Sequence, residues 1–477
     1  MNGRLNILFV NTDQHTYDAI SAYGNTFLHT PNIDRLHKNG TSFMRSYSTD
    51  PVCVPARTSW ATGLYTSEAG TPFNGGRLHD HIPDIGQLLN ANGYGAYHCG
   101  KWHVSGRDVT ESFKTLYFGA LPIGAGGAEY YDSVSTHAVL DFLSTYDREE
   151  PFYVQIGYVN PHDICEYEHN FEEKEIPDPI EQGILREEDL PPLPPNFDYD
   201  KRETLLQMVS RRDDSSLIHW PILRRTREWS ELQWRYLIWN HYRFVEKVDR
   251  EIGLVLDALS ATRFRDNTVV LFSVDHGEAY GQHQMFQKFT LYEESARVPL
   301  IVSTLGDGFE LKKNHFDREH LISGVDIFAT ICDYAEIDIP QNTQGESIRP
   351  LAEGRSVPWR DYAYIESNYW GRAVVTDRYK YVTEYKPKDD EDFVPPGPDT
   401  ADFGLEQLFD LSVDPWETKN IANEPDMDGV ASEMRDKLIT HERQLNRIPL
   451  LSGHPQEIVR RWGARLAERW KKEETNE

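Results

Sequence analysis

Five short apolar runs, each five to seven residues long, constrain the fold of this chain more than any other feature. Helix-like stretches separate them, and polar or ionisable residues follow most of them directly. This alternation predicts βαβ units, and therefore an α/β fold whose large, mostly parallel central sheet is flanked by helices. Since ligands bind beyond the carboxyl ends of strands in such sheets, the polar residues that follow the runs are candidates for a functional site. The predicted strands cover residues 6–11, 95–99, 152–158, 268–274 and 299–303.

Three helices can be placed from their terminal signals and apolar spacing. Thr30 and Pro31 are typical of a helix start, and Gly40 of its end. Apolar residues recur with helical spacing over residues 323–335, and a long helix is predicted over residues 229–260. Two polar, proline-rich stretches are predicted as loops: an insertion at about 166–228 and an acidic excursion at 386–402.

The length of 477 residues favours two domains. The pattern changes near residues 354–358, after which strand-like runs and a final helix predict a smaller C-terminal α+β domain. We therefore expect an N-terminal α/β domain over residues 1–357, which contains the insertion, and a C-terminal subdomain over residues 358–477. The C-terminal elements are predicted at residues 362–366, 373–376, 379–385 and 429–444.

Charge and hydropathy argue against several classes of partner. A formal net charge of −28 disfavours nucleic acid or an anionic membrane as a partner. The sequence contains no run of eighteen or more apolar residues, so no membrane span is predicted. Because an apolar stretch begins at Leu5, we expect a cytoplasmic protein as the chain stands, and a periplasmic or secreted one if a leader has been removed. The sequence is also compatible with a homo-oligomer.

The four cysteines, at positions 53, 99, 165 and 332, are too few and too scattered for a disulfide framework or a metal-ligand motif. We expect three of them to be buried apolar residues. Cys53 differs, because it lies between two prolines with Arg57 four residues further on. If the segment is helical, Arg57 lies one turn away on the same face, where its charge would lower the thiol pKa and attract anions. This environment permits a cysteine nucleophile, although a structural cysteine would fit it as well.

Acidic clusters follow two of the predicted strands. Asp13, Gln14 and His15 follow the first strand, and the run Asp275-His276-Gly277-Glu278 follows the fourth. Oxygen ligands favour Ca²⁺ or Mg²⁺, and an imidazole leaves Mn²⁺ open. The two clusters together therefore predict a site for one divalent metal.

Basic residues follow two further strands. Lys101 and His103, two positions apart in a segment predicted to be extended, are expected to point the same way. His162 follows the third strand, and Lys288 lies thirteen residues beyond Asp275. A solvated lysine or an ordinary polar histidine would explain any one of them. Together with the acidic clusters, they indicate an active site that handles an anion, a metal and a proton.

The residues around Cys53 resemble those of a known family, the formylglycine-dependent (type I) sulfatases. Cys53-x-Pro55-x-Arg57, followed by Thr62-Gly63, is similar to the motif that a formylglycine-generating enzyme recognises when it oxidises the cysteine to an aldehyde. The resemblance implies the fold of the alkaline phosphatase superfamily, with a large α/β domain and a small C-terminal sheet domain. It extends over nearly the whole chain, through residues 30–36, 100–103, 275–278, 291–295, 298–300, 376–381, 408–411 and 414–415.

The resemblance also implies a metal site. Many sulfatases have a second acidic residue at the position of Gln14, and asparagine at that of His276. In both respects this chain is more similar to choline sulfatases and phosphonate monoester hydrolases, a similarity that adds Asn74 to the substrate-binding residues. Ca²⁺ is expected first, with Mn²⁺ or Mg²⁺ as alternatives. The implied ligands are Asp13, Gln14, Asp275, His276 and the modified Cys53.

The mechanism implied by the resemblance gives the remaining residues their roles. One hydroxyl of the hydrated aldehyde at position 53 attacks sulfur, while Arg57, Lys101 and Lys288 neutralise the charge on the sulfuryl oxygens. His162 contacts or protonates the leaving oxygen. His103 then takes a proton from the second hydroxyl, which expels sulfate and regenerates the aldehyde.

Three other functions stay open. A phosphonate or phosphate ester hydrolase of the same superfamily would share the metal and the nucleophile, although the phosphonate enzymes tend to have hydroxyl side chains at the positions of Lys101 and His103. A non-catalytic binder of sulfated glycans would leave Cys53 unconverted. An unrelated thiol hydrolase would leave the clusters at Asp13 and Asp275 unexplained.

The substrate depends on loops that differ between proteins of one fold. A sulfated small molecule or oligosaccharide is expected. We favour a carbohydrate sulfate, because the insertion combines arginines, which pair with sulfate, and aromatic residues, which stack on sugar rings. A solvated charged loop is the alternative. The residues concerned are Arg211, Arg212, Arg224, Arg225 and Arg227, with Trp220 and Trp229.

Overall fold

Among the described residues, the five predicted strands lie in one sheet of eight strands. The structure, a computed structural model, describes residues 3–117, 127–165, 176–200, 202–203, 229–367, 371–384 and 406–445. The strands before the C-terminal domain are β1 (Asn6–Asp13), β2 (Gly40–Phe43), β3 (Ser46–Tyr47), β4 (Gly95–Gly100), β5 (Lys114–Tyr117), β6 (Phe152–Pro161), β7 (Thr268–Val274), β8 (Ala279–Tyr280), β9 (Phe286–Gln287), β10 (Leu300–Thr304), β11 (His315–Asp317) and β12 (Ile322–Ser323). The large sheet has the order β11-β2-β10-β7-β1-β6-β4-β5.

The prediction of a mostly parallel sheet is confirmed. β7, β1, β6, β4 and β5 form a continuous parallel block. β10 is antiparallel to both β7 and β2, a direction that its uniformly buried sequence does not reveal. β2 and β11 extend the sheet beyond β10, and the sequence does not predict them because both are short and largely polar.

Gly40 both follows the end of a helix and begins a strand. The helix that starts after Thr30 ends at Lys38, and Asn39 forms its C-cap. A Cβ at Gly40 would lie 2.0 Å from the main-chain oxygen of Val302, so glycine allows β2 and β10 to approach closely. The helix therefore ends directly before Gly40, as predicted, and the glycine in addition begins β2 and allows its close contact with β10.

The helices match the predicted ones to within two residues where predictions were possible. The long helix begins at Glu231, because Ser230 caps it by accepting a hydrogen bond from the main-chain N–H of Gln233. The α-helices are α1 (Pro31–Lys38), α2 (Cys53–Thr62), α3 (Thr66–Ala69), α4 (Ile85–Ala91), α5 (Ala128–Thr145), α6 (Asp178–Glu181), α7 (Glu231–Ser260), α8 (Glu293–Ala296), α9 (Val325–Tyr334), α10 (Arg349–Ala352) and α11 (Asp428–Gln444).

Helices cover both faces of the large sheet. Ile7 and Phe9 of β1 belong to the core on one face, where α2, α4 and α9 pack. Leu8 and Val10 belong to the core on the other face, together with α1, α5 and α7. The alternation follows from the two-residue period of a strand. It explains why β1, β6 and β7 are buried along their whole length rather than on one side only.

In the described part of the C-terminal region, a smaller antiparallel sheet with one helix follows, as predicted. Its strands pair in chain order, and α11 packs on them through Met434 and Leu438, against Val374 and Leu408. The structure thus has a small C-terminal α+β domain, while the proposed boundary between residues 357 and 358 stays a prediction. The strands are β13 (Ala363–Ser367), β14 (Gly371–Val375), β15 (Tyr379–Glu384) and β16 (Glu406–Asp410).

The predicted insertion and the acidic excursion fall largely outside the described residues. Of the insertion at 166–228, the structure describes residues 176–200 and 202–203, and the excursion at 386–402 lies wholly outside. Trp229 is described and packs edge-on against Trp234, with ring centroids 5.0 Å apart. The other residues of the substrate hypothesis, Arg211, Arg212, Trp220, Arg224, Arg225 and Arg227, also lie outside the described part.

Two further expectations concern membranes and thiols. Within the described part of the chain, the helices are all too short or too polar to cross a bilayer. Cys99, Cys165 and Cys332 are buried thiols, as expected, and so is Cys53.

Candidate active site

Cys53 is the first residue of α2, at the edge of the sheet where the parallel strands end. Val52 forms the N-cap in an extended conformation, and Gly63 ends the helix in the left-handed region with a φ of 69°. Helix N-termini present unpaired N–H groups and a partial positive charge. The thiol is only 1% exposed, so this positive end acts on it within the protein interior.

Two neighbouring strands deliver the acidic residues to Cys53. β1 ends at Asp13, and β7 ends directly before Asp275 and His276. Because Thr12 of β1 pairs with Val274 of β7 in a parallel register, the residues that follow them emerge side by side. One ligand atom each from Asp13, Cys53, Asp275 and His276 lies within 4.8 Å of the others, and all four side chains are buried.

This donor set fits a divalent cation. The Nδ1 atom of His276 lies 2.9 Å from the carbonyl oxygen of Gly277, which leaves Nε2 facing the site, 3.2 Å from the Cys53 sulfur. The sulfur occupies the place where the oxygens of a hydrated aldehyde would lie. Two carboxylates, an imidazole and such an oxygen are ligands that suit Ca²⁺, Mn²⁺ or Mg²⁺.

The carboxyl groups of this set ionise differently. Burial raises the pKa of Asp13, but neighbouring cations, led by Lys101, outweigh it and hold that pKa below the usual range. Burial, followed by the negative charge of Asp13, raises the pKa of Asp275 to about 6. Two such groups that repel each other are typical of a site that binds a cation.

Arg57 lies one turn along α2 from Cys53, as predicted, but it contacts protein groups. Its Nε donates to Asp275 Oδ2 at 2.8 Å, and its Nη2 to Asp13 Oδ2 at 3.1 Å. Its Nη1 donates to Asn11 Oδ1 at 3.1 Å and to the Lys101 carbonyl at 2.9 Å. The guanidinium group is therefore engaged behind the two carboxylates, and the sequence-based expectation that it faces a sulfuryl group does not match this geometry.

Lys101 and His103 both reach the thiol, although the segment that carries them is not extended. Gly100 has a φ of 81° and His103 a φ of 51°, so the chain turns here. Lys101 Nζ pairs with Asp13 Oδ2, and His103 hydrogen-bonds to Cys53. The Nδ1 atom of His103 has no hydrogen-bond partner among the described residues. The prediction of an extended segment is wrong, but the two side chains still converge.

Lys288 and His162 complete the surroundings of the thiol. Lys288 Nζ lies 3.3 Å from the Cys53 sulfur and 2.7 Å from Gln14 Oε1. Burial, and then the charge of Lys288, lower the pKa of His162 to about 4, so that His162 is neutral at pH 7. Its Nδ1 has no partner within the described ranges. Asp132 accepts hydrogen bonds from the main chain of Val159 and Asn160, and thereby fixes the strand end that precedes His162.

The thiol itself is strongly polarised by its neighbours. Burial raises the pKa of Cys53, but the charges of Lys101 and Lys288 overcome this and hold it well below its usual value. A local cluster of positive charge therefore exists inside a chain whose net charge is −28. Such a cluster is what an anionic ester requires.

Asn74 and Gln14 make different contacts near Cys53. Asn74 is exposed, and its Oδ1 accepts a hydrogen bond from the main-chain N–H of Val54 at 3.0 Å, so it borders the start of α2. Gln14 is buried and engages Lys288 and Glu278 through its amide group.

The sequence did not single out several residues that support this site. Asn11 holds Arg57, His241 of α7 contacts the main-chain oxygen of Gln14, and Glu278 contacts the Gln14 side chain. The sequence could have indicated a role for Glu278, since this residue belongs to the acidic cluster that begins at Asp275. No sequence pattern indicates a role for His241, because a histidine within a long amphipathic helix is ordinarily a packing residue.

Similarity to known proteins agrees with this geometry. A family model described as Sulfatase matches residues 5–337, and one described as N-sulphoglucosamine sulphohydrolase, C-terminal, matches residues 281–444. The Delta 4,5-hexuronate-2-O-sulfatase of Bacteroides thetaiotaomicron is 28% identical over 467 aligned residues, which cover 92% of this chain and 89% of that protein.

Solved structures show the same fold. A 2-O GAG sulfatase superposes with a TM-score of 0.74 at 26% identity, covering 93% of each chain. The phosphonate monoester hydrolase of Agrobacterium radiobacter superposes with a TM-score of 0.72 at 20% identity, covering 92% of this chain and 96% of that one. The protein has the alkaline phosphatase-like fold of these enzymes. From the family match over most of its length and from the residues gathered around Cys53, the chain belongs to the sulfatase family and is a sulfuric ester hydrolase.

Proposed function

We propose that this enzyme hydrolyses a sulfate ester of a carbohydrate, with formylglycine derived from Cys53 as its nucleophile. The observation that carries the proposal is the position of the Cys53 sulfur. It lies at a buried helix start, 3.2 Å from His276 Nε2, 3.3 Å from Lys288 Nζ and 3.8 Å from Asp13 Oδ1. Maturation by a formylglycine-generating enzyme is part of the same proposal, because the motif from Cys53 to Arg57 surrounds the residue to be oxidised.

The metal ligands in this proposal are Asp13, Asp275, His276 and the side chain at position 53. When bound, the cation supplies Lewis acidity, which activates the nucleophile and offsets charge on the sulfuryl group. Arg57 orients both carboxylates from behind and limits their repulsion. Ca²⁺ is our first expectation, with Mn²⁺ or Mg²⁺ as alternatives.

The remaining side chains act on the substrate. The charges of Lys101 and Lys288 both act on position 53, and their ammonium groups neutralise the charge that grows on the sulfuryl oxygens. His162 is neutral, and contacts the leaving oxygen through a ring N–H group. His103, whose pKa burial lowers, accepts a proton beside position 53. Asn74, exposed next to Val54, contacts the substrate at the rim.

Loss of Lys288 tests the electrostatic part of this proposal. We expect Lys288→Ala to lower kcat about 10²- to 10³-fold, because a buried charge opposite the transition state is removed. The measurement is steady-state sulfate release with the metal content of each preparation determined. Lys313→Ala, at an exposed lysine paired with Asp307, serves as the control and leaves kcat unchanged. A Lys288→Ala enzyme that changes only in KM would contradict the assigned role.

Removal of the metal gives a second test. A chelator should abolish turnover and lower the melting temperature, because a ligand at 100 times its Kd stabilises the folded state by about 2.7 kcal/mol. Adding back Ca²⁺, Mn²⁺ or Mg²⁺ singly identifies the cation that restores both properties. Turnover and melting temperature that withstand complete chelation would exclude a metal at the Asp13 and Asp275 carboxylates.

A carbohydrate substrate is favoured by the names of similar proteins. The Bacteroides thetaiotaomicron relative is a Delta 4,5-hexuronate-2-O-sulfatase, and the superposed structure is that of a 2-O GAG sulfatase. A sugar-binding role for the arginines of the insertion remains a hypothesis, since they lie outside the described residues. Trp229 packs against Trp234, so the protein already accounts for it without a sugar.

A phosphonate or phosphate ester hydrolase is the second candidate. Gln14 and His276 are the residues that favour it, since they are similar to those of phosphonate monoester hydrolases. Lys101 and His103 favour sulfate instead, because phosphonate enzymes tend to have hydroxyl side chains there.

One panel of substrates separates these functions. Enzyme converted at Cys53 would be assayed by ion chromatography for sulfate released from sulfated disaccharides, choline sulfate and an aryl sulfate, and for cleavage of an aryl phosphonate. We expect kcat/KM for a sugar sulfate to exceed that for the others about 100-fold or more. Preferred cleavage of the phosphonate would support the second candidate, and binding without release would make the protein a glycan binder.

A further inference from the structure

Asp132 of α5 holds the main chain at the end of β6, directly before His162. Its Oδ1 accepts a hydrogen bond from the main-chain N–H of Val159 at 2.7 Å, and its Oδ2 accepts one from that of Asn160 at 3.0 Å. The carbonyl oxygen of Val159 in turn accepts from the N–H of His162 at 3.0 Å. Asp132 is only 2% exposed, so its carboxylate is shielded from water. One buried carboxylate thus fixes the turn that carries His162.

Asp163 secures the same turn on the other side of His162. Its Oδ2 accepts from the main-chain N–H groups of Gly127 at 3.3 Å and Ala128 at 2.9 Å, the cap and the first residue of α5. The first N–H groups of a helix have no partner within the helix, so the carboxylate satisfies two of them and offsets the partial positive charge there. α5 therefore gives one carboxylate to the turn, that of Asp132, and receives one from it. These two carboxylates with their contacts form the His162 clamp.

The ring of His162 depends on the His162 clamp for its orientation. His162 is 4% exposed and hydrogen-bonds to Cys53 at the reaction centre. A catalytic histidine is commonly oriented by a carboxylate or carbonyl group on its other ring nitrogen. Within the described ranges no such group reaches Nδ1 of His162. The main chain that carries the ring is therefore what places it beside Cys53.

We propose that Asp132 and Asp163 are positioning residues, which place His162 against the leaving oxygen and thereby allow the enzyme to expel poor leaving groups. The inference rests on the proposed function, because it assigns to His162 the contact with that oxygen. When the sulfur–oxygen bond breaks, its electron pair stays on the leaving oxygen, and a nearby N–H group stabilises it. This help matters more for a basic alkoxide than for the anion of an acidic phenol. A displaced ring therefore costs more for a sugar sulfate than for an activated aryl sulfate.

Two aryl sulfates of similar shape make this dependence measurable. Asp132→Asn keeps the side-chain volume but offers one oxygen in place of two, so one main-chain N–H group loses its acceptor. We expect kcat/KM for sulfate release to fall about 10- to 100-fold with phenyl sulfate, and less than about threefold with para-nitrophenyl sulfate, whose leaving group is the more acidic phenol. Equal losses for the two esters would overturn the proposal.

A double variant shows whether Asp132 acts through His162. His162→Ala should lower kcat/KM with the same preference for the activated ester, since the group that assists the leaving oxygen is gone. In that background Asp132→Asn should change kcat/KM for phenyl sulfate less than about twofold. Effects that multiply in the double variant would overturn the proposal.

Asp163 provides a pair of variants with less risk to the fold, because its side chain is partly exposed. Asp163→Ala removes the acceptor of the first N–H groups of α5, and it should shift the ratio of kcat/KM between the two esters in the same direction as Asp132→Asn. Asp163→Asn should keep the parent ratio, because an asparagine oxygen caps a helix as well as a carboxylate does. An unchanged ratio in Asp163→Ala would overturn the role of Asp163.

Asp249→Asn is the matched control. Asp249 is also a buried carboxylate that accepts from two consecutive main-chain N–H groups, those of Asn32 at 3.2 Å and Ile33 at 2.8 Å. It joins α1 to α7 instead of holding the turn at His162. Its replacement should lower the melting temperature and leave the ratio between the two esters unchanged. A ratio that changes in Asp249→Asn as well would reflect a general loss of packing, and would overturn the proposal.

Crystal structures of the parent and of Asp132→Asn give an outcome that needs no turnover. We expect the His162 ring to move by about 1 Å or more relative to position 53, a displacement that can cost about 10²-fold in rate. An unmoved ring would overturn the proposal. If the converted parent releases no sulfate from any ester, the proposed function fails, whereas the two structures still decide whether Asp132 positions His162.

Discussion

Replacing Cys53 by alanine lowers kcat for sulfate release at least about 10⁴-fold, which is the scale expected when an enzyme loses its nucleophile. Cys53 is the first residue of α2 and the group on which Lys101, Lys288, His103 and His276 converge. Alanine leaves these neighbours in place, but it cannot be oxidised to the aldehyde whose hydroxyl group attacks sulfur in the proposed mechanism. The measurement is sulfate release by protein produced together with a formylglycine-generating enzyme.

Cys332→Ala is the control for that experiment. Cys332 is also a fully buried thiol, but it lies in α9 within the core behind the sheet. Its removal costs stability and leaves turnover intact. A Cys53→Ala enzyme that keeps more than about a tenth of the parent kcat would show that another group performs the attack.

The second large predicted effect is the loss of folding stability when Arg57 is replaced. We expect Arg57→Ala to lower the free energy of unfolding of the metal-free protein by about 3–5 kcal/mol. Arg57 is the cation that bridges Asp13 and Asp275, at 3.1 and 2.8 Å, and all three side chains are fully buried. Without it, two carboxylates face each other in the interior. Urea denaturation followed by circular dichroism measures the loss.

A surface pair provides the comparison for Arg57. Arg186 pairs with Asp189 at 2.5 Å, but both side chains are largely exposed, so Arg186→Ala should cost less than about 1 kcal/mol. Addition of the divalent metal should restore part of the stability of the Arg57→Ala variant, because the metal offsets the negative charge of the same two carboxylates. If Arg57→Ala lowers the free energy of unfolding by less than about 1 kcal/mol, Arg57 does not stabilise the two buried carboxylates.

The buried strands were predictable, whereas the edges of the sheet were not. β1, β6 and β7 are buried throughout because helices cover both of their faces, and their apolar residues form runs that are visible in a sequence. β2 begins at Gly40 and contains threonine and serine, so it does not resemble a buried strand. The antiparallel direction of β10 is set by the path of the chain, which local sequence does not record.

The composition of the site was also largely predictable. Asp13, Asp275 and His276 come directly after strands that pair in parallel, and strand ends converge at one edge of such a sheet. The partners of individual side chains were not predictable, because they are fixed by packing between distant segments. Arg57 contacts Asp275, 218 positions away, and Gln14 contacts Glu278, 264 positions away.

The central claim, that Cys53 becomes the aldehyde nucleophile, is tested most directly by mass spectrometry. The peptide that spans Cys53 would be analysed from protein made with a formylglycine-generating enzyme, alongside protein made without it. We predict the mass of the aldehyde at position 53 in the first preparation and of the thiol in the second. An unmodified thiol in both preparations would contradict the account, because the buried group beside Lys101, Lys288 and His276 would then lack the chemistry that the site requires.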